Sequence, residues 1–117
     1  MANMNMIQAL NSAMDILLGR NPAVVLMGED IGYFGGVFRA TEGLQRKYGE
    51  HRVIDSPIAE GGIVATAIGM SVNGLRPVAE IQFCDYGFNT IDLLKVAGNQ
   101  RWAGAGEWEL GRWHRNS

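Results

Sequence analysis

Apolar positions along the chain change period from segment to segment, and each period predicts an element. Ile7, Leu10, Met14 and Leu17 recur at spacings of three and four, with Ala13 and Leu18 beside them. That is an amphipathic helix of about three turns, ended by Gly19-Arg20-Asn21-Pro22. Ala23 to Met27 is a short continuous apolar run, the pattern of a strand buried on both faces. It stops at Gly28-Glu29-Asp30. Residues 31–40 read as a glycine-rich loop carrying Tyr33, Phe34 and Phe38. Thr41 to Tyr48 suits a short helix with Gly49 as its stop. Arg52 to Asp55 reads as a second strand, ended by Ser56-Pro57. Ile58 to Asn73 is apolar and rich in small residues, a helix with Gly74 past its end. Pro77 to Phe83 reads as the third strand. Thr90 to about Trp102 reads as a last helix, with Ile91, Leu94 and Ala97 on one stripe.

Strands alternating with helices predict an α/β fold with a mostly parallel sheet flanked by helices on both faces. In such sheets ligands bind beyond the carboxyl ends of the strands. The first strand ends in Glu29-Asp30, the second is followed by Ile58-Ala59-Glu60, and the third runs into Asp85-Tyr86. Acids at these places also serve as helix caps and solvated loop ends. The pattern alone leaves both uses open.

Composition narrows the function classes. Ten basic residues against twelve acidic give a net charge of −2, without the Lys/Arg excess of a nucleic-acid footprint. No apolar run approaches the roughly 20 residues of a membrane span. The first residues, Met1 to Met6, carry no basic region or cleavage site, so neither a secretory signal nor a transit peptide is expected. Cys84 is the single cysteine, which leaves no internal disulfide and, with no signal, points to the cytoplasm. It is expected to be a small buried residue. His51 and His114 lie too far apart in sequence for a zinc-site spacing. Glycine makes up 16 of 117 residues, and eight of these fall between Gly28 and Gly62. The backbone there must turn sharply or be closely approached.

Several signatures are missing. There is no G-x-x-x-x-G-K-[ST], no G-x-G-x-x-G and no G-x-S-x-G. Nor is there the Gly-Asp-Gly and distant Asn that hold magnesium and diphosphate in thiamine diphosphate enzymes.

Three blocks carry a resemblance. The first is Gly28-Glu29-Asp30-Ile31-Gly32-Tyr33-Phe34-Gly35-Gly36-Val37-Phe38-Arg39, within a match running from Leu26 to Leu44. The second is Ser56-Pro57-Ile58-Ala59-Glu60-Gly61-Gly62, within Val53 to Val64. The third is Arg76-Pro77-Val78-Ala79-Glu80-Ile81-Gln82-Phe83, preceded by Gly74-Leu75. In order and spacing they resemble the beta subunits of two-subunit 2-oxo acid dehydrogenases. The first and third blocks look like the branched-chain members more than the pyruvate or acetoin members.

The resemblance implies a transketolase-like pyrimidine-binding domain, incomplete and covering residues 4–110, with a divergent tail at 111–117. The tail is polar and unpatterned where the family continues into an apolar strand. It implies thiamine diphosphate as cofactor, with Mg2+ on a partner alpha subunit in a heterotetramer. A dihydrolipoyl acyltransferase core and a 2-oxo acid substrate complete the expected partners, with no nucleic acid and no membrane. The fragment alone is expected to be inactive.

Site residues follow from the same match. Glu60 corresponds to the glutamate that hydrogen-bonds N1′ of the aminopyrimidine and exchanges a proton with it. Glu29 corresponds to an acidic position near the cofactor that relays protons. Tyr86 corresponds to the aromatic that packs on the pyrimidine ring. Gln82 lies on the same strand end, a place from which it either lines the pocket or serves the structure. Ala59 departs from the family, where Ser or Cys is common.

Overall fold

In the computed structural model, which describes residues 3–104, the chain alternates helices and strands. The order is α1 (Met6–Arg20), β1 (Val24–Glu29), α2 (Leu44–Tyr48), β2 (Val53–Ser56), α3 (Glu60–Val72), β3 (Arg76–Glu80), a 3-10 helix (Cys84–Thr90) and α4 (Ile91–Gly104). The strands form a parallel sheet in the order β2-β1-β3. The divergent tail expected at 111–117 lies outside the described residues.

Helix α1 begins with a capping box. Asn5 Oδ1 accepts the Gln8 amide at 2.8 Å, and Gln8 Oε1 accepts the Asn5 amide at 3.0 Å. Its far end is held by Arg52, whose guanidinium donates to the carbonyls of Leu18, Asn21 and Val24 at 2.8–3.0 Å. One side chain thereby ties the end of α1, the start of β1 and the start of β2.

All six residues of β1 are buried, as its unbroken apolar run predicts for a central parallel strand. Val24 and Leu26 face a core with Leu18, Ile31, Leu44 and Val53, joined by Met14 and Tyr48. Alternation puts Val25 and Met27 on the opposite face, the side on which α3 buries Ile63 and Val64. The first crossover runs from β1 out to β2, and the second runs back the opposite way from β2 past β1 to β3. With right-handed crossovers, the glycine-rich loop and α2 cover one face and α3 covers the other.

The structure bears out the fold class and the number and order of the strands, with shifts at element ends. Strand β1 runs two residues further than Met27, so Glu29 is its last residue. Helix α2 starts at Leu44, because Gly43 in front of it has φ +79°. Strand β3 ends at Glu80, not Phe83, because its ladder with β1 ends at the Gly28–Glu80 pair. The chain then turns into a 3-10 helix that the periodicity did not predict. Pro77 is accommodated because β3 is the outer strand of this sheet. Along α4, Ile91 and Leu94 of the expected stripe are exposed; Leu93 is the residue that approaches α3 at Gly61.

Candidate functional site at the carboxyl edge of the sheet

Register decides which acids share a face. Gly28 pairs with Asp55 on one side and Glu80 on the other, so these three positions point to the same face. That face is the one under the glycine-rich loop. Asp55 accepts the amide of Gly32 at 2.6 Å and that of Tyr33 at 3.4 Å. Thr41, buried, donates its hydroxyl to the Ile31 carbonyl at 2.7 Å. Inside the loop the Gly36 amide donates to the Asp30 carbonyl at 2.7 Å. The absence of a side chain at Gly28 permits this packing. A Cβ there would lie 2.9 Å from the Glu80 carbonyl oxygen and 3.1 Å from Ile31 Cγ2. Gly32 is equally confined, since a Cβ would run into Gln45 and the Asp55 carboxylate.

Glu29 is one residue further along β1 and therefore points to the other face, where α3 begins. It is only 5% exposed. Glu60 is the first residue of α3 and meets it there. Burial holds the Glu29 carboxyl above its ordinary range, and the charges of Glu60 and Asp30 and a hydrogen bond with Glu60 add to this. Two carboxyls side by side cannot both ionise cheaply, which favours the protonated form of Glu29. Glu60 is half-buried and is followed by two glycines. A Cβ on Gly61 would meet only Leu93 Cδ1 at 3.9 Å, and one on Gly62 only the Ala59 Cβ at 3.4 Å.

Glu80 is a third acid at this edge, and sequence reasoning missed it. It stands in the quoted Pro77-Val78-Ala79-Glu80 block, and its signal was an acid inside the otherwise uncharged run read as the third strand. Its Oε2 is enclosed and has no hydrogen-bond partner among the described residues. Burial, followed by the charge of Glu29, raises its affinity for a proton. The acids of β1 and β3 thus interact across the strand ends, although their side chains leave opposite faces.

The remaining expected residues are placed differently from one another. Tyr86 lies in the first turn of the 3-10 helix and is 56% exposed, its ring edge-on to Phe83 at 6.0 Å. Gln82 is half-buried in the turn after β3 and not on the strand, because β3 has ended two residues earlier. Cys84, expected to be buried, is exposed at the start of the 3-10 helix. Among the described residues no group of three His, Cys, Asp or Glu side chains is arranged to hold a metal ion, and no helix is long and apolar enough to cross a membrane.

Carboxyls gathered at the edge of a parallel sheet also fit what comparison with known proteins finds. The profile of the transketolase pyrimidine-binding domain matches residues 2–111. The chain belongs to this family. It is 58% identical over 106 residues to the 2-oxoisovalerate dehydrogenase subunit beta of Pseudomonas aeruginosa, covering 90% of this chain and 30% of that protein. It is 49% identical over 102 residues to the pyruvate dehydrogenase E1 component subunit beta of Acholeplasma laidlawii, covering 86% and 31%. To the subunit of the same name from Staphylococcus epidermidis it is 51% identical over 98 residues, covering 84% and 30%. The chain spans about a third of the length of these relatives.

Proposed function

We propose that the chain is the N-terminal, pyrimidine-binding part of the beta subunit of a thiamine diphosphate-dependent 2-oxo acid dehydrogenase of the branched-chain type. The observation that carries this is the contact between Glu29 and Glu60 at the carboxyl edge of a pyrimidine-binding domain. The residues present fit the aminopyrimidine half of the cofactor. The Glu60 carboxyl at the start of α3 matches a ring nitrogen, and an exposed aromatic lies on the segment after β3. When bound, thiamine diphosphate supplies the electron sink for decarboxylating a 2-oxo acid.

The chain's own residues have distinct tasks in this reading. Glu60 holds and returns a proton at N1′ of the pyrimidine. Glu29, buried and inclined to keep its own proton, donates a hydrogen bond to the Glu60 carboxylate and relays the proton onward. Tyr86 offers a ring face to the pyrimidine, and Gln82 lines the pocket beside it. The diphosphate and Mg2+ belong to a partner alpha subunit, with an α2β2 heterotetramer and a dihydrolipoyl acyltransferase core completing the assembly. The proposed location is the cytoplasm.

Greater identity to the 2-oxoisovalerate enzyme than to the two pyruvate enzymes supports the branched-chain assignment. A pyruvate or acetoin dehydrogenase subunit is the second reading, favoured by the 49–51% identities. The test is decarboxylation by a complete beta subunit carrying this sequence, paired with its alpha subunit. A higher kcat/KM for 3-methyl-2-oxobutanoate than for pyruvate is expected. A preference for pyruvate selects the second reading.

A further inference from the structure

A row of three rings joins two segments that the sheet ladder leaves unconnected. Phe38 belongs to the glycine-rich loop, Phe83 closes the turn after β3, and Tyr86 stands in the 3-10 helix. Phe38 and Phe83 meet edge-to-face at 6.0 Å and 76°, and Phe83 and Tyr86 at 6.0 Å and 86°. All three rings are about half exposed. Much of each ring's surface is therefore open, and the contacts along the row are a main restraint on its orientation. The row begins on firm ground, because the loop is pinned by Asp55 to Gly32 and by Thr41 to Ile31. Phe34, on the same loop and exposed to the same degree, sits under the Arg39 guanidinium at 4.2 Å instead.

We propose that Phe38 is a positioning residue for Tyr86: through Phe83 it sets the orientation of the Tyr86 ring and couples that ring to the glycine-rich loop. The inference rests on the reading of Tyr86 as the aromatic that meets the pyrimidine. A ring already held in its working orientation has less freedom to lose when a ligand packs on it. The loop therefore contributes to binding without touching the ligand.

The experiment follows the Tyr86 ring protons by NMR in the 117-residue chain. In the Phe38→Leu variant the Tyr86 signals are expected to move toward unstructured positions and the Phe83–Tyr86 nuclear Overhauser contacts to weaken. Phe38→Tyr keeps a ring in place and is expected to preserve both. Phe34→Leu, a change on the same loop outside the row, is expected to leave Tyr86 unchanged. Unaltered Tyr86 signals in Phe38→Leu, or equal changes in Phe34→Leu, overturn the proposal.

The same signals then report titration with 4-amino-5-hydroxymethyl-2-methylpyrimidine, the free pyrimidine half. One edge-to-face contact corresponds to about 2- to 10-fold in affinity, and that loss is expected in Phe38→Leu with recovery in Phe38→Tyr. Equal affinity in wild type and Phe38→Leu overturns the positioning role. If the wild-type chain does not bind the pyrimidine, the reading of Tyr86 fails, and the ligand-free ring signals still decide the coupling.

Discussion

Glu29, the last residue of β1, is buried against Glu60, the first residue of α3. Neither element sets up this contact alone. It requires β1 to run to the sheet edge and the β2–β3 crossover to bring the N-terminus of α3 over the same face. The outcome is a carboxyl pair in which burial and like charge favour retention of a proton.

That retention gives stability a definite pH dependence. Glu29 and Glu80 both have folded-state proton affinities raised above an ordinary value near 4.5. The folded state then binds more protons than the unfolded state between about 4.5 and the raised values. Their contribution to stability is therefore fully present below 4.5 and is lost as pH rises through that window. Glu29→Gln and Glu80→Gln should each flatten this slope in urea melts taken between pH 4 and 8. Asp15 acts in the opposite sense. Its hydrogen bonds with Lys47 and Tyr48 lower its proton affinity, so its contribution is present above its ordinary 3.8 and is lost at more acid pH.

Arg52 should prove important to the fold. Its three carbonyl contacts are partly buried and join α1, β1 and β2. Arg52→Ala leaves those carbonyls without their charged donor, and a loss of about 2–4 kcal/mol is expected from hydrogen bonds of this kind. Denaturant unfolding at neutral pH measures it. Arg52→Lys should recover only part, because an ammonium does not reproduce the planar fork.

Much of this was legible in the sequence, and the failures have physical causes. The continuous apolar run at Val24–Met27 marked a central strand, and the acids after each strand marked the edge. The end of β3 was misplaced because Ile81 and Phe83 keep a strand-like alternation, whereas the ladder with β1 ends at the Gly28–Glu80 pair. That same error put Gln82 on a strand. Cys84 was expected inside because free cysteines are usually buried, but the unforeseen 3-10 helix turns it outward. Glu80 went unnoticed because, with the strand read through to Phe83, it looked like a mid-strand acid on a solvated face. Only the register with Gly28 and the loop over it reveal the enclosed oxygen. The roles given to Glu60, Glu29 and Tyr86 came from the family resemblance, since spacing alone left them open, and that of Gln82 from its place near the end of the third strand.

Gly32 offers a test of the loop. Gly32→Ala drives a methyl into Gln45 and the Asp55 carboxylate, both of which support the loop. Overpacking of this kind costs about 1–3 kcal/mol. The change should also displace the Gly32 amide from Asp55, and faster hydrogen exchange at the Gly32 and Tyr33 amides reports it. Unchanged exchange together with unchanged stability would show that the loop is held by other contacts.

Glu60 and Glu29 should separate in their effects on catalysis. The isolated chain is expected to decarboxylate no 2-oxo acid, because in the proposed reading the diphosphate and metal half comes from the alpha subunit. The comparison therefore belongs in a complete beta subunit assembled with that partner. Glu60→Gln keeps the shape of the side chain but no longer exchanges a carboxyl proton with the ring nitrogen. General acid–base groups contribute about 10²- to 10⁴-fold, and a loss of kcat in or above that range is expected. Exchange of the cofactor's C2 proton for deuterium should slow in parallel. Glu29→Gln should cost less, because it acts one step away and its amide can still donate to the Glu60 carboxylate. Near-normal C2 exchange in Glu60→Gln, with exchange abolished in Glu29→Gln, would reverse the two roles.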